Sequence, residues 1–305
     1  MFYTAFNVRL FFFLLFNKAD ILYSNDLDTL LPNYLISKLK SKKLYYDCHE
    51  YFTGMPELEG RKFPYTVWKT IEKWIFPKLE NVITINDSMA RLYADEYGIG
   101  LKVIRNLPMV LNTNEIPHKS KSDFRLPDKK LIIFQGAGIN VHRGAEEALL
   151  AMQYVNDAAL VFAGSGDVIT ALKKMVDEHG LSKKVFFTGK IPPLELKAFT
   201  RLAHLGLSLD KDTNVNYRYS LPNKLFDYIH AGIPVLASPL PEVAKIVSEY
   251  NIGLLIDNHS PEHIAEKMNR MLTDEQQRKL WNQNLERAAA ELSWEKEKEK
   301  FLSLF

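Results

Sequence analysis

The chain has 305 residues, 47% of them apolar and 25% charged, with a net charge of +2. That length suits two domains with a core each, and near-neutrality argues against nucleic acid as the main partner. A single cysteine, Cys48, excludes a disulfide framework and fits a reducing cytoplasm.

The chain opens on a very apolar run, Leu10-Phe11-Phe12-Phe13-Leu14-Leu15-Phe16, bounded by Arg9 and Lys18. It is too short to span a bilayer, which takes about 20 residues, and no small-residue cleavage site follows it. The leading expectation is a buried helix; a patch touching the inner face of a membrane is the second. Lys38, Lys40, Lys42 and Lys43 read first as a solvated helix end and second as an attraction for anionic lipid.

Apolar runs then alternate with helical patterns, the signature of βαβ units and an α/β fold with parallel sheets. In the first half, strands are predicted at 21–23, 44–46, 81–85 and 102–104, with helices at 29–39 and 66–78. The stretch 113–128 is polar, with two prolines and little periodicity, and reads as a linker. In the second half, strands are predicted at 131–134, 159–162, 185–188, 205–209, 234–237 and 253–256. From about residue 274 the tail is helical and highly charged, with Glu297 and Lys300 at i,i+3.

In open α/β sheets, ligands bind beyond the carboxyl ends of the strands, so the chemistry is sought in the loops there. The most informative stretch runs from Asn216 through Arg218, Ser220, Leu221, Asn223, Lys224 and Asp227 to Gly232. Ser220 is a good N-cap, Pro222 suits a first helical turn, and Gly232 stops the helix. Lys224 at such a start, with free backbone N–H groups, makes an anion site for a diphosphate. Asp227, one turn on, is placed to accept from a ribose diol. The competing reading is an ordinary amphipathic helix.

A second cluster, Gln135-Gly-Ala-Gly138-Ile-Asn140-Val-His-Arg143-Gly144, follows a strand; its glycines let backbone approach a phosphate, and Arg143 can clamp one. Gly164 and Gly166 are explained equally well by a tight strand-to-helix turn. In the first half Asn25, Asp26, His49 and Glu50 end strands. Thr53 breaks the spacing of a zinc protease.

Taken together, these residues resemble family 4 retaining glycosyltransferases of the GT-B fold. The resemblance rests on the strand-glycine-Arg-Gly opening at 131–144, the turn 163–166, Val185 to Gly189, the block from Ser220 to Val235, and Ser293-Trp294-Glu295. In the first half it includes the stretch from Tyr45 to Phe52 and the segment 103–108. It implies two Rossmann-like domains with parallel sheets facing a central cleft. An acceptor-side domain would span 1–112, a linker 113–128, a donor domain 129–290, and a terminal helix 291–305 would pack back toward the first domain. The expected first strand and its glycine-rich loop are missing, which implies a shortened first domain.

The resemblance implies that a sugar passes from a nucleotide-diphosphate donor, a UDP- or GDP-sugar, to a glycan or lipid-linked acceptor hydroxyl with retention. The expected setting is bacterial-type surface polysaccharide or glycolipid synthesis, in the cytoplasm or at the inner membrane face. Arg143 and Lys224 would neutralise the leaving group, helped by backbone near Ser220 and Leu221. Asp227 would hold the ribose, the loop after Gly189 the base, and His49 would lie against the sugar. No metal or other cofactor would be required. Many relatives carry two glutamates eight positions apart; Tyr219 and Asp227 stand there, and Ile139 and Asn140 replace a usual basic residue, for which Asn216, Arg218 or Tyr219 can compensate. The alternatives are a non-catalytic nucleotide-sugar-binding protein and, further off, a nucleotide-sugar epimerase using Asp26, Asp47 and Glu50.

Overall fold

The computed structural model describes residues 2–305. They form two compact units: the first runs to Asn106 and takes in Asn214–Ser220, and the second comprises Leu107–Thr213 and Leu221–Phe305.

In the first unit α1 (Phe2–Phe16) leads into β1 (Ile21–Asn25), α2 (Asp26–Lys40), β2 (Lys43–Cys48), α3 (Lys62–Ile75), β3 (Asn81–Thr84), α4 (Asp87–Tyr97) and β4 (Lys102–Val103). The four strands pair in parallel in sequential order, with Tyr23 beside Tyr45 and Tyr46 beside Val82. This leaves β1 as an edge. The unit's core gathers Leu22, Tyr46, Trp68, Phe76 and Tyr93, with Phe76 and Tyr93 stacked 4.6 Å apart. Asn86 caps α4 by accepting from the Met89 N–H, and Gly98 closes it with φ +68°.

The expectation of a buried first helix is corrected: none of the described residues of α1 is buried. Phe11, Leu14 and Leu15 only lean on the core. The helix is apolar around its whole circumference, and one neighbouring layer cannot cover all of it.

The second unit carries β5 (Lys130–Gly136), α5 (Ala145–Ala151), β6 (Ala158–Gly164), α6 (Ile169–Glu178), β7 (Val185–Gly189), α7 (Pro193–Thr200) and β8 (Leu205–Ser208). The short α8 (Val215–Arg218) belongs to the first unit, and the chain returns to the second for α9 (Asn223–Ala231), β9 (Val235–Ala237), α10 (Pro241–Tyr250) and β10 (Gly253–Leu255). It ends in α11 (Pro261–Thr273), α12 (Glu275–Glu291) and α13 (Trp294–Leu302), whose first N–H, on Trp294, bonds the Pro108 carbonyl at 2.9 Å.

The six strands are all parallel in the order β10-β9-β8-β5-β6-β7. Successive residues serve opposite faces: Ile132, Phe134, Leu160 and Phe162 join a core with α5, α11 and Trp281, while Leu131, Ile133, Ala159 and Val161 join one with α9 and α10. Covering both faces is what lets these strands be apolar throughout. Tyr228 of α9 lies over β8, where a Cβ on Gly206 would fall 2.5 Å from its ring. Its hydroxyl donates toward the Leu207 carbonyl at 3.2 Å and accepts the Gln135 backbone N–H at 3.2 Å.

Candidate active site

The order of the six-stranded sheet reverses between β5 and β8, the switch point beyond which ligands of open α/β sheets bind, and the loops after the two strands meet there. The loop after β5 delivers Arg143 between His142 and Gly144, both left-handed (φ 67° and 77°). Gly144 is required, because a Cβ would stand 2.3 Å from the Leu209 carbonyl. The Lys211 N–H bonds the His142 carbonyl at 2.9 Å and ties this loop to the one after β8. That second loop supplies Asp210, 1% exposed. Its Oδ1 receives Arg143 Nη1 at 2.9 Å and its Oδ2 faces Lys224 Nζ at 3.1 Å. Lys224 also lies over the Phe134 ring, 4.9 Å from its centre. Burial pushes the Asp210 carboxyl up, but the charges of Lys224 and Arg143 outweigh it and hold the group below its ordinary value. Beside this cluster Lys211 pairs with Glu147.

Both cations of the expected diphosphate site thus converge, and the residue that gathers them, Asp210, was missed. A carboxylate just past a strand was its only sequence signal. Ser220 is corrected as the helix cap. Its hydroxyl donates to the Tyr217 carbonyl at 2.9 Å, Pro222 occupies the cap position, and α9 starts at Asn223. Residues 215–218 form a separate turn capped by the Asn214 side chain, which uses up the serine. Ser220 and Arg218 belong to the first unit, whereas Leu221, Asn223, Lys224 and Asp227 belong to the second. Asn216 brackets Tyr51, accepting its N–H at 2.8 Å and donating to its carbonyl at 3.1 Å, and Asn86 donates to the Tyr219 carbonyl at 2.8 Å. Asn216 therefore anchors backbone.

The glycine loops brace each other. A Cβ on Gly164 would meet the Gly136 carbonyl at 1.8 Å, and one on Gly166 the Ile139 carbonyl at 2.0 Å, so both glycines serve close loop packing. Asn140 Oδ1 takes the Asp167 N–H at 3.2 Å, and Gly138 keeps space around it apart from the Asn140 side chain. Gly189 turns the chain at φ +70° with open space where a side chain would project. Beyond it, a cavity of about 500 Å³ is walled by Ile191, Pro193 and Leu196 and reaches Gln135 and Asp227. Asp227 Oδ2 accepts from Gln135 Nε2 at 2.9 Å, and Gln135 Oε1 in turn accepts from Thr200 at 2.8 Å. Asp227 Oδ1 has no such partner among the described residues. Burial raises the Asp227 carboxyl against the lowering pull of Lys197 and Gln135.

In the first unit the ends of β1 and β2 carry a different cluster. Asp47 Oδ2 accepts from the Tyr23 hydroxyl at 2.7 Å and faces His49 Nε2 at 3.4 Å. Asp26, at φ 54°, takes the His49 N–H on Oδ1 at 2.9 Å. The bond to Asp47 raises the His49 pKa against the effect of burial, and burial raises that of Asp26. His49, just past the end of β2, is exposed while Cys48 is buried. Asn25 is exposed ahead of α2, and the Glu50 carbonyl accepts from the Tyr93 hydroxyl at 3.1 Å.

The sequence matches the family described as Glycosyl transferases group 1 over residues 118–288, more than half of the chain. The chain belongs to this glycosyltransferase family. The group 1 match covers the six-stranded unit from ahead of β5 into α12 and so contains Arg143, Asp210, Lys224 and Asp227. Among its relatives is an uncharacterised glycosyltransferase of Methanocaldococcus jannaschii, MJ1069, 22% identical over 289 residues that make up 90% of this chain and 71% of that protein. Among solved structures, sucrose-phosphate synthase from Thermosynechococcus elongatus aligns with a TM-score of 0.77 at 17% identity, over 99% of this chain and 76% of the other. Anabaena HepE in complex with UDP and glucose aligns with a TM-score of 0.76 at 14% identity, over 93% and 77%. These likenesses show the fold: this group 1 glycosyltransferase has two parallel α/β sheets of the GT-B kind.

Proposed function

We propose that this glycosyltransferase moves a sugar from a nucleoside-diphosphate donor, a UDP- or GDP-sugar, to a glycan or lipid-linked acceptor hydroxyl with retention of configuration, in surface polysaccharide or glycolipid synthesis. The observation that carries the reading is the convergence of Arg143 and Lys224 on Asp210 at the switch point of the sheet, beside the start of α9. Two cations held rigid there are preorganised for the charge that develops on a departing diphosphate. The backbone N–H groups of the first turn of α9 add to them. No metal or other cofactor is required in this scheme.

The cavity beyond Gly189 supports a nucleoside seat. Its volume of about 500 Å³ suits a small ligand. Ile191 and Leu196 offer apolar walls to a base, and Asp227 Oδ1 an acceptor to a ribose diol. In the first unit, His49 held by Asp47 serves as the sugar-facing group, with Asn25, Asp26 and Glu50 beside it on the acceptor side. HepE, crystallised with UDP and glucose, is similar to this chain over most of its length, which favours the same ligand class.

Calorimetry against UDP, GDP, ADP and their sugars tests the reading. At 100 times the dissociation constant, a true donor stabilises the native chain by about 2.7 kcal/mol. Lys224→Ala is expected to weaken binding by about 2–5 kcal/mol. Asp227→Asn is expected to weaken it too, yet to raise the stability of the empty protein at neutral pH, because a carboxylate with a raised pKa costs stability when ionised. A folded sample that binds none of these nucleotides would sink the donor assignment. Proton NMR of the first-formed product reads retention directly, and omitting the acceptor separates transfer from epimerisation.

A further inference from the structure

The cavity beyond Gly189 holds two cations that the diphosphate and ribose roles leave unused. The residues that α7 turns into it, Pro193, Leu196, Lys197 and Thr200, with Arg201 just past the helix, recur three and four positions apart and so share one face. Lys197 and Arg201 stand four residues apart on that face, about 6 Å along the axis. Neither side chain has a hydrogen bond or an ion pair among the described residues.

Elsewhere in the same unit, cations turned inward are engaged. Arg143 and Lys224 hold Asp210. Lys184 donates to the Met152 and Val155 carbonyls at 3.0 and 2.8 Å, and Arg278 to those of His204 and Met271 at 3.0 and 3.2 Å. Lys197 and Arg201 instead face an open cavity, which leaves their donors for whatever fills it.

Helix α7 is also fixed relative to the ribose seat, because Thr200 holds Gln135 and Gln135 holds Asp227. Burial raises the Asp227 carboxyl and the charge of Lys197 is the foremost pull against it, so Lys197 marks the ribose end of the cavity and Arg201 lies one turn further on. A group seated beyond the ribose therefore meets both cations.

Cations in that place set the chemistry of the base. Lysine and arginine side chains offer N–H groups and no acceptor, so they favour a base edge built of acceptors. Guanine presents O6 and N7 side by side, the pair that a guanidinium fork meets with two parallel bonds. Adenine carries an amino group in place of O6, which sets donor against donor. Uracil presents O4 next to a C–H, with no second acceptor beside it. A cavity of about 500 Å³ has room for the two-ring base.

We propose that Lys197 and Arg201 select a guanosine-diphosphate sugar as the donor, by meeting the O6 and N7 edge of the base. The proposal rests on the donor reading above and narrows it from two bases to one.

Calorimetry on the full chain tests it, with GDP, UDP, ADP, inosine diphosphate and 7-deazaguanosine diphosphate. GDP is expected to bind at least about tenfold more tightly than UDP or ADP. Inosine diphosphate keeps O6 and N7 and should bind as GDP does. The 7-deaza compound has a C–H in place of N7 and should fall about tenfold below GDP. Lys197→Gln with Arg201→Gln should erase the preference, leaving GDP at the level of UDP. Neither side chain has a partner to lose among the described residues, and an unchanged melting temperature certifies the fold of the variant. UDP bound as tightly as GDP, a folded double variant that still prefers GDP, or inosine diphosphate falling to the level of UDP overturns the assignment while leaving a donor site in place. Binding of none of these nucleotides overturns the donor reading itself, and this proposal with it.

Discussion

The two sheets place functional side chains in the same way, past the carboxyl ends of parallel strands, yet they gather opposite chemistries there. In the second unit one buried carboxylate, Asp210, draws in two cations, and its pKa is lowered by them. In the first unit Asp26 and Asp47 surround a single titratable base, His49, and it is the base whose pKa is moved upward by its carboxylate neighbour. The corners differ as well. Gly144 turns a left-handed corner where no Cβ fits, whereas Asp26 adopts φ 54° as a full side chain. Backbone architecture therefore supplies position, and residue choice at a few strand ends supplies the sign of the charge offered to a ligand.

The largest test of that contrast is Asp210→Ala. Removing one partner of a buried ion pair typically costs about 3–5 kcal/mol, and here two cations lose their counter-charge together. Urea unfolding at neutral pH should show it. The acid side gives the matching sign: a carboxylate whose folded pKa lies below its unfolded one contributes stability above the unfolded value, near 3.9, and loses it as pH falls through the folded one. The difference between parent and Asp210→Ala should therefore shrink as pH falls below about 4; a constant difference would assign Asp210 a packing role only.

Next in size is Gly144→Ala, expected to cost about 3 kcal/mol through collision with the Leu209 carbonyl and left-handed strain together. Asp26→Gly relieves the strain of a left-handed side chain, about 1 kcal/mol, and forfeits the bond to the His49 N–H, so its net effect should be small. Finding the two substitutions equally costly by thermal melts would erase the contrast between the corners.

The smallest effect belongs to Asp47→Asn. His49 titrates above its ordinary value because of Asp47, so whatever stability their pairing gives is fully present below pH about 6.5 and fades as pH rises through the folded pKa. The substitution should lower the His49 pKa in an NMR titration. An unmoved titration would mean that Asp47 serves Tyr23 alone.

Much of this was legible in the sequence. The runs at 131–134 and 159–162 lie within β5 and β6, and Gly232 ends α9 as a left-handed residue at φ 73°. Arg143 and Lys224 were legible as cations near strand ends. Asp210 was not, because its partners lie 67 residues before it and 14 after it in number. Only the adjacency of β5 and β8, a property of the whole sheet, brings them together. The start of α9 was misplaced because Ser220 looks like a cap locally, and only Asn214, capping a turn of its own, reveals that the serine is already engaged. The first helix was expected inside on composition alone. Burial, however, depends on what the fold stacks against a helix, and among the described residues of α1 none is buried, Phe11, Leu14 and Leu15 only leaning on the core.

The seat of Tyr228 ties distant positions into one inheritable block. Its ring needs Gly206 bare, and its hydroxyl satisfies the Gln135 N–H, whose own side chain steadies Asp227. A larger residue at 206 would displace the ring, and a smaller one at 228 would strand that amide, so neither position can drift alone. A library at this seat should vary 206 and 228 jointly, since a single change at either one would be discarded as a folding defect.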